Sequence, residues 1–281
     1  MWVKIKNIFS KQAQLPTVQM LPDKIRVFYS SRKNKKSRIF YFEVDKDHPE
    51  KIIYQHKSPI LEEGYRGCFD DCGVMPSSVC DINGSNILYY TGWNIDKGMV
   101  AYGHGIGCAN IDDIRNVRRV SIGPVIDRNI NVPYLANSGF VTKFQNKYQM
   151  IFCNGNKWIG DFPTYHLNFA YSKNGLEWCI DSVLLHKSNC ALSRACHIKS
   201  QDTSNIWFSM KSKKEPYKIM HLCTKGNRKI LKQIKFYSNG YESWDNEMKC
   251  YPYVFLLNGK YYMYYNGNDY GQTGIGLAIW Q

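Results

Sequence analysis

The chain of 281 residues lacks any run of about 18 apolar residues, which excludes a predicted transmembrane helix. Residues 1–16 also lack the uninterrupted apolar stretch of a secretory signal peptide, because lysines divide it. We therefore expect a cytoplasmic protein with no integral membrane segment. In that reducing compartment the ten scattered cysteines are expected to remain thiols.

Ligand patterns for metals and nucleotides are also lacking. Cys68, Cys72 and Cys80 lie close together, but no second CxxC or His pair completes a tetrahedral site. The glycines of residues 103–109 have no strand-to-helix context, so they are not a dinucleotide fingerprint. Three histidines are not spaced as ligands on one element: His104, His166 and His197. We predict no metal and no organic cofactor.

Acidic residues are few, with 23 Asp and Glu against 37 Lys and Arg, and the formal net charge is +14. The positive charge is dispersed, apart from the runs RKNKKSR at 32–38 and KSKKEPYK at 211–218. Both runs lie between strand-like stretches, which indicates solvated hairpin tips. We expect no nucleic-acid partner, and an attraction to anionic partners such as phosphorylated sugars or membrane headgroups.

Aromatic residues and glycine are plentiful, and short aromatic stretches recur along the chain. Their equivalent points have spacings of 62, 62, 56 and 56 residues: Phe28, Tyr90, Phe152, Phe208 and Tyr264. A second strand-like stretch follows each of them, and an apolar segment precedes the last four. Such spacing favours a repeated sheet of about four strands, present five times.

Five such sheets bury their faces only when they pack radially, so the repeat predicts an all-β five-bladed β-propeller, a single domain over residues 1–281. The last unit ends after three strands. Trp2–Phe9 alternates like a strand without belonging to the first unit. We expect this N-terminal strand to supply the outer strand of the last blade and to close the ring.

Several stretches carry a resemblance: FDDCGVMPS, LYYTGW, SRACHI, AYSKNGLEW, WDNEMKCYP and YMYYNGNDYGQTGIGLA. Over nearly the whole chain they resemble the five-bladed propeller superfamily of sugar-active enzymes, which holds arabinanases, xylosidases, invertases and mannoside phosphorylases. The similarity is greatest to a branch found among bacterial surface-polysaccharide genes.

This resemblance implies carboxylates at the bottom of the funnel, since glycosidic cleavage uses a pair of them. Asp71, or its neighbour Asp70, matches the first aspartate as base or nucleophile. Glu247 is the candidate general acid, with Asp245 orienting it. The middle positions depart from the pattern, because Asn137 stands where an aspartate is expected and no glutamate precedes the fourth inner strand.

One structural and one functional interpretation stay open for these charged residues. Asp245 and Glu247 could pair with Arg66 or Arg194 and tie blades together. Conversely, the two arginines precede inner strands and could clamp a phosphate or carboxylate of the substrate.

Aromatic and amide side chains near strand ends suit sugar C–H faces and hydroxyls. The remaining candidate substrate-binding residues are Tyr90, Trp93, Trp158, Trp244, Tyr251, Asn266, Asn268 and Tyr270. We predict an enzyme that cleaves or transfers a glycosyl unit, on a nucleotide-linked or otherwise anionic sugar in surface-glycan metabolism. The alternative is a non-catalytic sugar-binding or scaffold propeller.

Overall fold

The computed structural model describes residues 1–95, 100–200, 202–226, 228–238 and 243–281. Strands dominate it, with a 3-10 turn at Ser243–Asp245 and a four-residue helix α1 at Asn268–Gly271. The strands are β1 (Trp2–Phe9), β2 (Gln14–Met20), β3 (Lys24–Lys33), β4 (Lys36–Asp45), β5 (Ile52–Gln55), β6 (Gly73–Ile82), β7 (Ser85–Asn94), β8 (Gly103–Asn110), β9 (Arg118–Arg119), β10 (Ala136–Phe144), β11 (Lys147–Ile159), β12 (Phe162–Ser172), β13 (Cys179–Leu185), β14 (Cys190–Lys199), β15 (Thr203–Ser212), β16 (Lys218–Lys225), β17 (Arg228–Gln233), β18 (Phe236–Tyr237), β19 (Cys250–Leu257), β20 (Lys260–Asn266) and β21 (Ile275–Trp280).

Antiparallel pairing arranges twenty of these strands in five groups of four, and the short strand β18 pairs parallel with β1. The groups are β2–β5, β6–β9, β10–β13, β14–β17, and β19–β21 together with β1. The N-terminal strand β1 pairs antiparallel with β21, as the sequence predicts, so the last group combines both ends of the described chain. Short parallel bridges between β4 and β6 and between β12 and β14 join neighbouring groups.

A β-bulge interrupts the first strand of every group. In four groups the residues paired just before it are Gln14, Asn137, Ser193 and Cys250. In the second group Pro76 is still paired with Tyr90 before the bulge, and Met75 is the equivalent position. Opposite the bulge on the second strand lie Tyr29, Tyr90, Phe152, Phe208 and Tyr265. The repeat read from the sequence was therefore one residue out of register in the first and last groups, and it missed β2 as the first strand of the first group.

Hydrogen bonds at the bulges link four of the five groups to the group before them. The backbone N–H after the bulge position donates to a short side chain on the second strand of the preceding group. The pairs are Leu15 to Asn266 Oδ1 (2.8 Å), Ser138 to Thr91 Oγ1 (2.8 Å), Arg194 to Cys153 Sγ (3.3 Å) and Tyr251 to Ser209 Oγ (2.7 Å).

The second group lacks this bond because Pro76 occupies the donor position and has no N–H. The matching acceptor, Ser30 Oγ, is buried without a hydrogen-bond partner in the described structure. All four donors adopt a positive φ of 54° to 59°: Leu15, Ser138, Arg194 and Tyr251. The same local device therefore recurs around the whole molecule, with one gap.

Apolar side chains fill the spaces between the groups. The largest core cluster joins the first group, through Val27 and Phe42, to the last group, through Val254 and Tyr264. Trp2 of β1 is almost fully buried in the same cluster. In the ranges that the structure describes, no helix is long and apolar enough to cross a membrane.

Candidate functional site

A cavity of about 470 Å³ lies where the first strands of all five groups begin. Its size fits a small ligand. Each first strand contributes to the wall, through Gln14, Met75, Asn137, Ser193 and Tyr251. The other lining residues are Leu15, Arg32, Ser37, Thr91, Trp93, Ala101, Tyr102, His104, Ser138, Tyr165, Lys211, Tyr217 and Tyr270.

Two cations lie on this wall, and no Asp or Glu does among the described residues. The guanidinium of Arg32 stacks on Trp93, 4.5 Å from the ring centroid. Lys211 Nζ lies 5.0 Å from the Tyr217 ring and 3.3 Å from the Tyr270 hydroxyl. Neither cation forms an ion pair within the described parts of the chain. The cavity is therefore electropositive.

Burial keeps five titratable rings of the wall neutral at physiological pH, namely Tyr102, His104, Tyr165, Tyr217 and Tyr251. Burial raises the pKa of Tyr217 and Tyr251 well above the usual value, so both remain phenols that donate hydrogen bonds. Burial, with the nearby charge of Arg32, lowers the pKa of His104 to about 4. Its Nδ1 lies 3.3 Å from the amide nitrogen of Asn137. Amides, hydroxyls and one neutral imidazole thus surround the two cations.

Three of the substrate-binding candidates from the sequence line the cavity: Trp93, Tyr251 and Tyr270. Trp158 is not a lining residue, but its ring packs edge-on against the lining residue Tyr102, with the ring centroids 5.4 Å apart. Arg66 is exposed and is not among the lining residues.

The proposed carboxylates do not line the cavity. Asp70 is 1% exposed and accepts hydrogen bonds from Arg119 Nε at 2.9 Å and from the Tyr90 hydroxyl at 3.2 Å. Phe69 stacks on Tyr90. The carboxylate of Asp70 and the hydroxyl of Tyr90 therefore satisfy each other inside the second group.

Asp245 has a matching environment in the last group. Its Oδ1 accepts a hydrogen bond from Lys4 Nζ at 2.6 Å, and its Oδ2 accepts one from the Tyr265 hydroxyl at 2.9 Å. Trp244 packs on Tyr265 with the ring centroids 5.4 Å apart. This carboxylate is fully buried and ties β1 to the loop before β19.

The other acidic and amide candidates order loops. Asp71 accepts a hydrogen bond from the Gly67 N–H at 2.9 Å. Glu247 is exposed, and its N–H donates to Asn268 Oδ1 at 3.0 Å. Asn266 is buried, and its amide nitrogen donates to the carbonyls of Ala13 and Gly274.

Arg194 is fully buried and bonds to backbone oxygens. Its Nη1 donates to the carbonyls of Pro76 and Ser77, and its Nη2 donates to the carbonyl of Pro16 and to Thr17 Oγ1, all at 2.6 to 3.0 Å. These contacts join β14 to the first strands of two other groups. Burial lowers the pKa of Arg194 to about 10, which leaves it charged at neutral pH.

Sequence reasoning missed most of the wall, including Gln14, Lys211 and Tyr217. Gln14 was recognisable, because Gln14-Leu15-Pro16 repeats the pattern of Cys250-Tyr251-Pro252 at the start of the last group. Lys211 lies within a basic run that the sequence places at a hairpin tip, and only the fold turns its side chain toward the cavity.

Sequence comparisons find relatives of this chain but no family model. No family model matches the chain. Two uncharacterized proteins of Mycobacterium tuberculosis strains are each 29% identical to it over 299 aligned positions, with 99% of this chain and 98% of the relative covered.

Solved structures of similar fold are carbohydrate-active enzymes. A glycoside hydrolase gives a TM-score of 0.74 at 14% identity, covering 99% of this chain and 92% of that one. A GH32 β-fructofuranosidase of Bombyx mori gives 0.71 at 12% identity, covering 97% of this chain and 61% of that one. A structure from the GH130 family of mannoside phosphorylases gives 0.70 at 15%, covering 96% and 84%. The chain therefore has an all-β fold of the glycoside hydrolase propeller type.

Proposed function

We propose that the five strand groups are the blades of a five-bladed β-propeller and that its central cavity binds a carbohydrate with a negative charge. The hydrogen bonds at the bulges support the five-fold arrangement, since the last group bonds to the first through Asn266 and Leu15. Pairing of β1 with β21 then closes the last blade. One domain spans residues 1–281 in this proposal.

The neutral part of the cavity wall suits a sugar. Gln14 and Asn137 offer amides, and Ser138, Ser193 and the tyrosines offer hydroxyls. Trp93 lines the same space with a ring that can pack against sugar C–H groups. Such a mixture of ring faces and hydrogen-bonding groups recognises polyols.

A negative charge on the ligand follows from Arg32 and Lys211. Both cations lie on the wall, and neither has a carboxylate partner in the described residues. A phosphate, a sugar carboxylate or the diphosphate of a nucleotide-linked sugar would supply one. A role in surface-glycan metabolism and a cytoplasmic location stay predictions from the sequence.

Binding without cleavage is the function that the geometry supports best, and one observation carries it. Glycosidic cleavage requires two carboxyl groups on either side of the scissile bond. No described residue of the wall is a carboxylic acid, and side-chain hydrogen bonds hold Asp70 and Asp245 away from it. Asp71 and Glu247 also lie outside the wall.

Calorimetric titration of Lys211→Met tests this function. Sugar phosphates, uronic acids, nucleotide-linked sugars and neutral sugars are titrated into the wild type and the variant. Because a charged hydrogen bond contributes about 1.5 to 3 kcal/mol, we expect affinity for the charged sugars to fall roughly 10-fold or more in the variant. Lys213→Met is the matched control, since Lys213 belongs to the same hairpin but does not line the cavity. Equal binding of neutral and charged sugars by the wild type would contradict the charge assignment.

Glycosyl cleavage or transfer is the second candidate, favoured by the fold shared with glycoside hydrolases. It requires Asp71 or Glu247 to act on a ligand from the rim. Turnover of aryl glycosides or nucleotide-linked sugars that is lost in Asp71→Asn or Glu247→Gln, with folding intact, would establish it in place of binding alone.

A further inference from the structure

The two basic runs of the sequence lie at the same end of the molecule, around the mouth of the central cavity. Residues 32–38 form the turn between β3 and β4, and residues 211–218 span the turn between β15 and β16. Arg32 from the first run and Lys211 from the second line one cavity. Both turns therefore project beside its opening.

Local geometry keeps these lysines in solvent. Asn34 and Lys35 both have a positive φ, 53° and 61°, which is the conformation of a tight two-residue hairpin turn. Lys33, Lys35, Lys213 and Lys214 are all exposed. None of these four forms an ion pair within the described ranges, whereas Lys36 and Lys218 do. Four charges are thus available to an external partner.

Apolar side chains project at the same end. Ile130 is 95% exposed at the tip of a turn closed between Asn129 and Val132. The carbonyl of Asn131 accepts a hydrogen bond from Asn154, near the cavity end of β11, and this fixes the turn beside the mouth. Ile95 is 60% exposed directly after β7, whose Trp93 lines the cavity.

The opposite end of the first group has a different charge pattern. Its turns, at 21–23 and 46–51, mix Asp23, Asp47 and Glu50 with Lys46 and Lys51. The unbalanced positive charge of this group is therefore concentrated at the cavity end.

We propose that the cavity end docks on an anionic lipid surface, with the lysine turns against the headgroups and Ile130 inserted at the acyl boundary. Basic side chains near a negatively charged leaflet each add favourable energy, and an inserted apolar residue adds to it. A soluble polyanion would engage the lysines and leave Ile130 in water, so the isoleucine favours a membrane. This proposal is independent of the ligand in the cavity.

Vesicle flotation of the full chain tests the docking surface. Phosphatidylcholine vesicles with and without 30% phosphatidylserine are used at about 0.1 M salt, and the wild type is expected to float only with the anionic vesicles. A variant with Lys33→Glu, Lys35→Glu, Lys213→Glu and Lys214→Glu is expected to bind at least 100-fold more weakly. Ile130→Ser is expected to lose several-fold.

The matched control reverses four exposed lysines at the turns of the opposite end: Lys143, Lys147, Lys225 and Lys260. Supporting results are near wild-type flotation of this control and unchanged melting of all variants. Equal losses in both quadruple variants would overturn the proposal, since net charge alone would then explain binding. So would tight binding to heparin without flotation, which would identify a soluble polyanion as the partner.

Discussion

The second and last strand groups each hold a buried aspartate, whereas the described residues of the third and fourth groups include none. Asp70 and Asp245 both lie five residues before the residue at the bulge, Met75 or Cys250. Each accepts a hydrogen bond from the tyrosine opposite that bulge. In the third and fourth groups the corresponding residues are Val132 and Ser188, and the tyrosine is replaced by Phe152 or Phe208. Among these four groups the aspartate and the tyrosine hydroxyl occur together or not at all. The first group differs, because Tyr29 lies opposite its bulge while Phe9 occupies the position of the aspartate.

Glycines complete the shared arrangement. A Cβ on Gly92 would lie 2.4 Å from the Phe69 ring, and one on Gly267 would lie 2.4 Å from the Trp244 ring. Gly276 faces Tyr265 across the sheet, and a Cβ there would lie 2.2 Å from Trp244. An aromatic ring, an aspartate, a tyrosine and close-packed glycines therefore form one packing unit, used twice. From this comparison we infer a structural role for Asp70 and Asp245.

Replacing Asp245 by Asn is expected to have the largest effect on stability. It removes a fully buried negative charge that Lys4 Nζ approaches at 2.6 Å and Lys249 Nζ at 3.7 Å. Breaking such a pair costs about 3 to 5 kcal/mol. The loss for Asp70→Asn is expected to be smaller, about 2 kcal/mol, since Arg119 is 23% exposed and water can solvate it. Urea denaturation midpoints at neutral pH measure both.

Glu247→Gln is the control for this pair, because its exposed side chain lies two residues after Asp245. Its free energy of unfolding should stay within about 0.5 kcal/mol of the wild-type value. Wild-type stability in Asp245→Asn, combined with lost sugar binding, would indicate that Asp245 contributes to ligand binding instead.

A second, smaller contrast concerns the hydrogen bonds between neighbouring groups. Ser209→Ala removes the acceptor of the Tyr251 N–H and leaves a buried donor unpaired, which costs about 1 to 2 kcal/mol. Ser30→Ala removes a hydroxyl that has no partner in the described structure, so stability should change by less than about 0.5 kcal/mol. The difference between their denaturation midpoints tests whether the hydrogen bond between the first and second groups is missing, as Pro76 implies. Equal destabilisation would mean that Ser30 has a partner such as a buried water.

The strand pattern and the pairing of the N-terminal strand could be predicted from sequence, because aromatic stretches such as LYYTG and YMYYNG recur at nearly constant spacing. The register could not, since the bulges at residues such as Leu15 and Tyr251 are set by backbone geometry rather than by composition. A one-residue shift in the first and last groups was the result.

Prediction of the site was weaker, for a physical reason. Acidic residues such as Asp70 precede first strands, and sequence position alone does not show whether a carboxylate faces a cavity or pairs with Arg119. Lys211 and Arg32 were recognised as charge runs, but their approach to one wall depends on packing between distant groups. The repeat offered a clue that went unused: Phe69-Asp70 and Trp244-Asp245 are 175 positions apart, as are Tyr90 and Tyr265.

The last contrast between the second and last groups is the pH dependence of stability. His104 precedes Gly105 in the second group, and Thr273 precedes Gly274 at the equivalent position in the last. Burial lowers the pKa of His104 from 6.5 to about 4. As pH falls below 6.5 the unfolded chain gains a proton that the folded chain does not take up until about pH 4, so stability decreases through this window. Substituting His104→Thr should reduce the loss of unfolding free energy between pH 7 and pH 5.5 by about 1 kcal/mol.

Urea denaturation at both pH values measures this change, and a residual slope is expected because His197 and His221 also have pKa values of about 4. An unchanged slope in the variant would show that His104 gains its proton equally in both states.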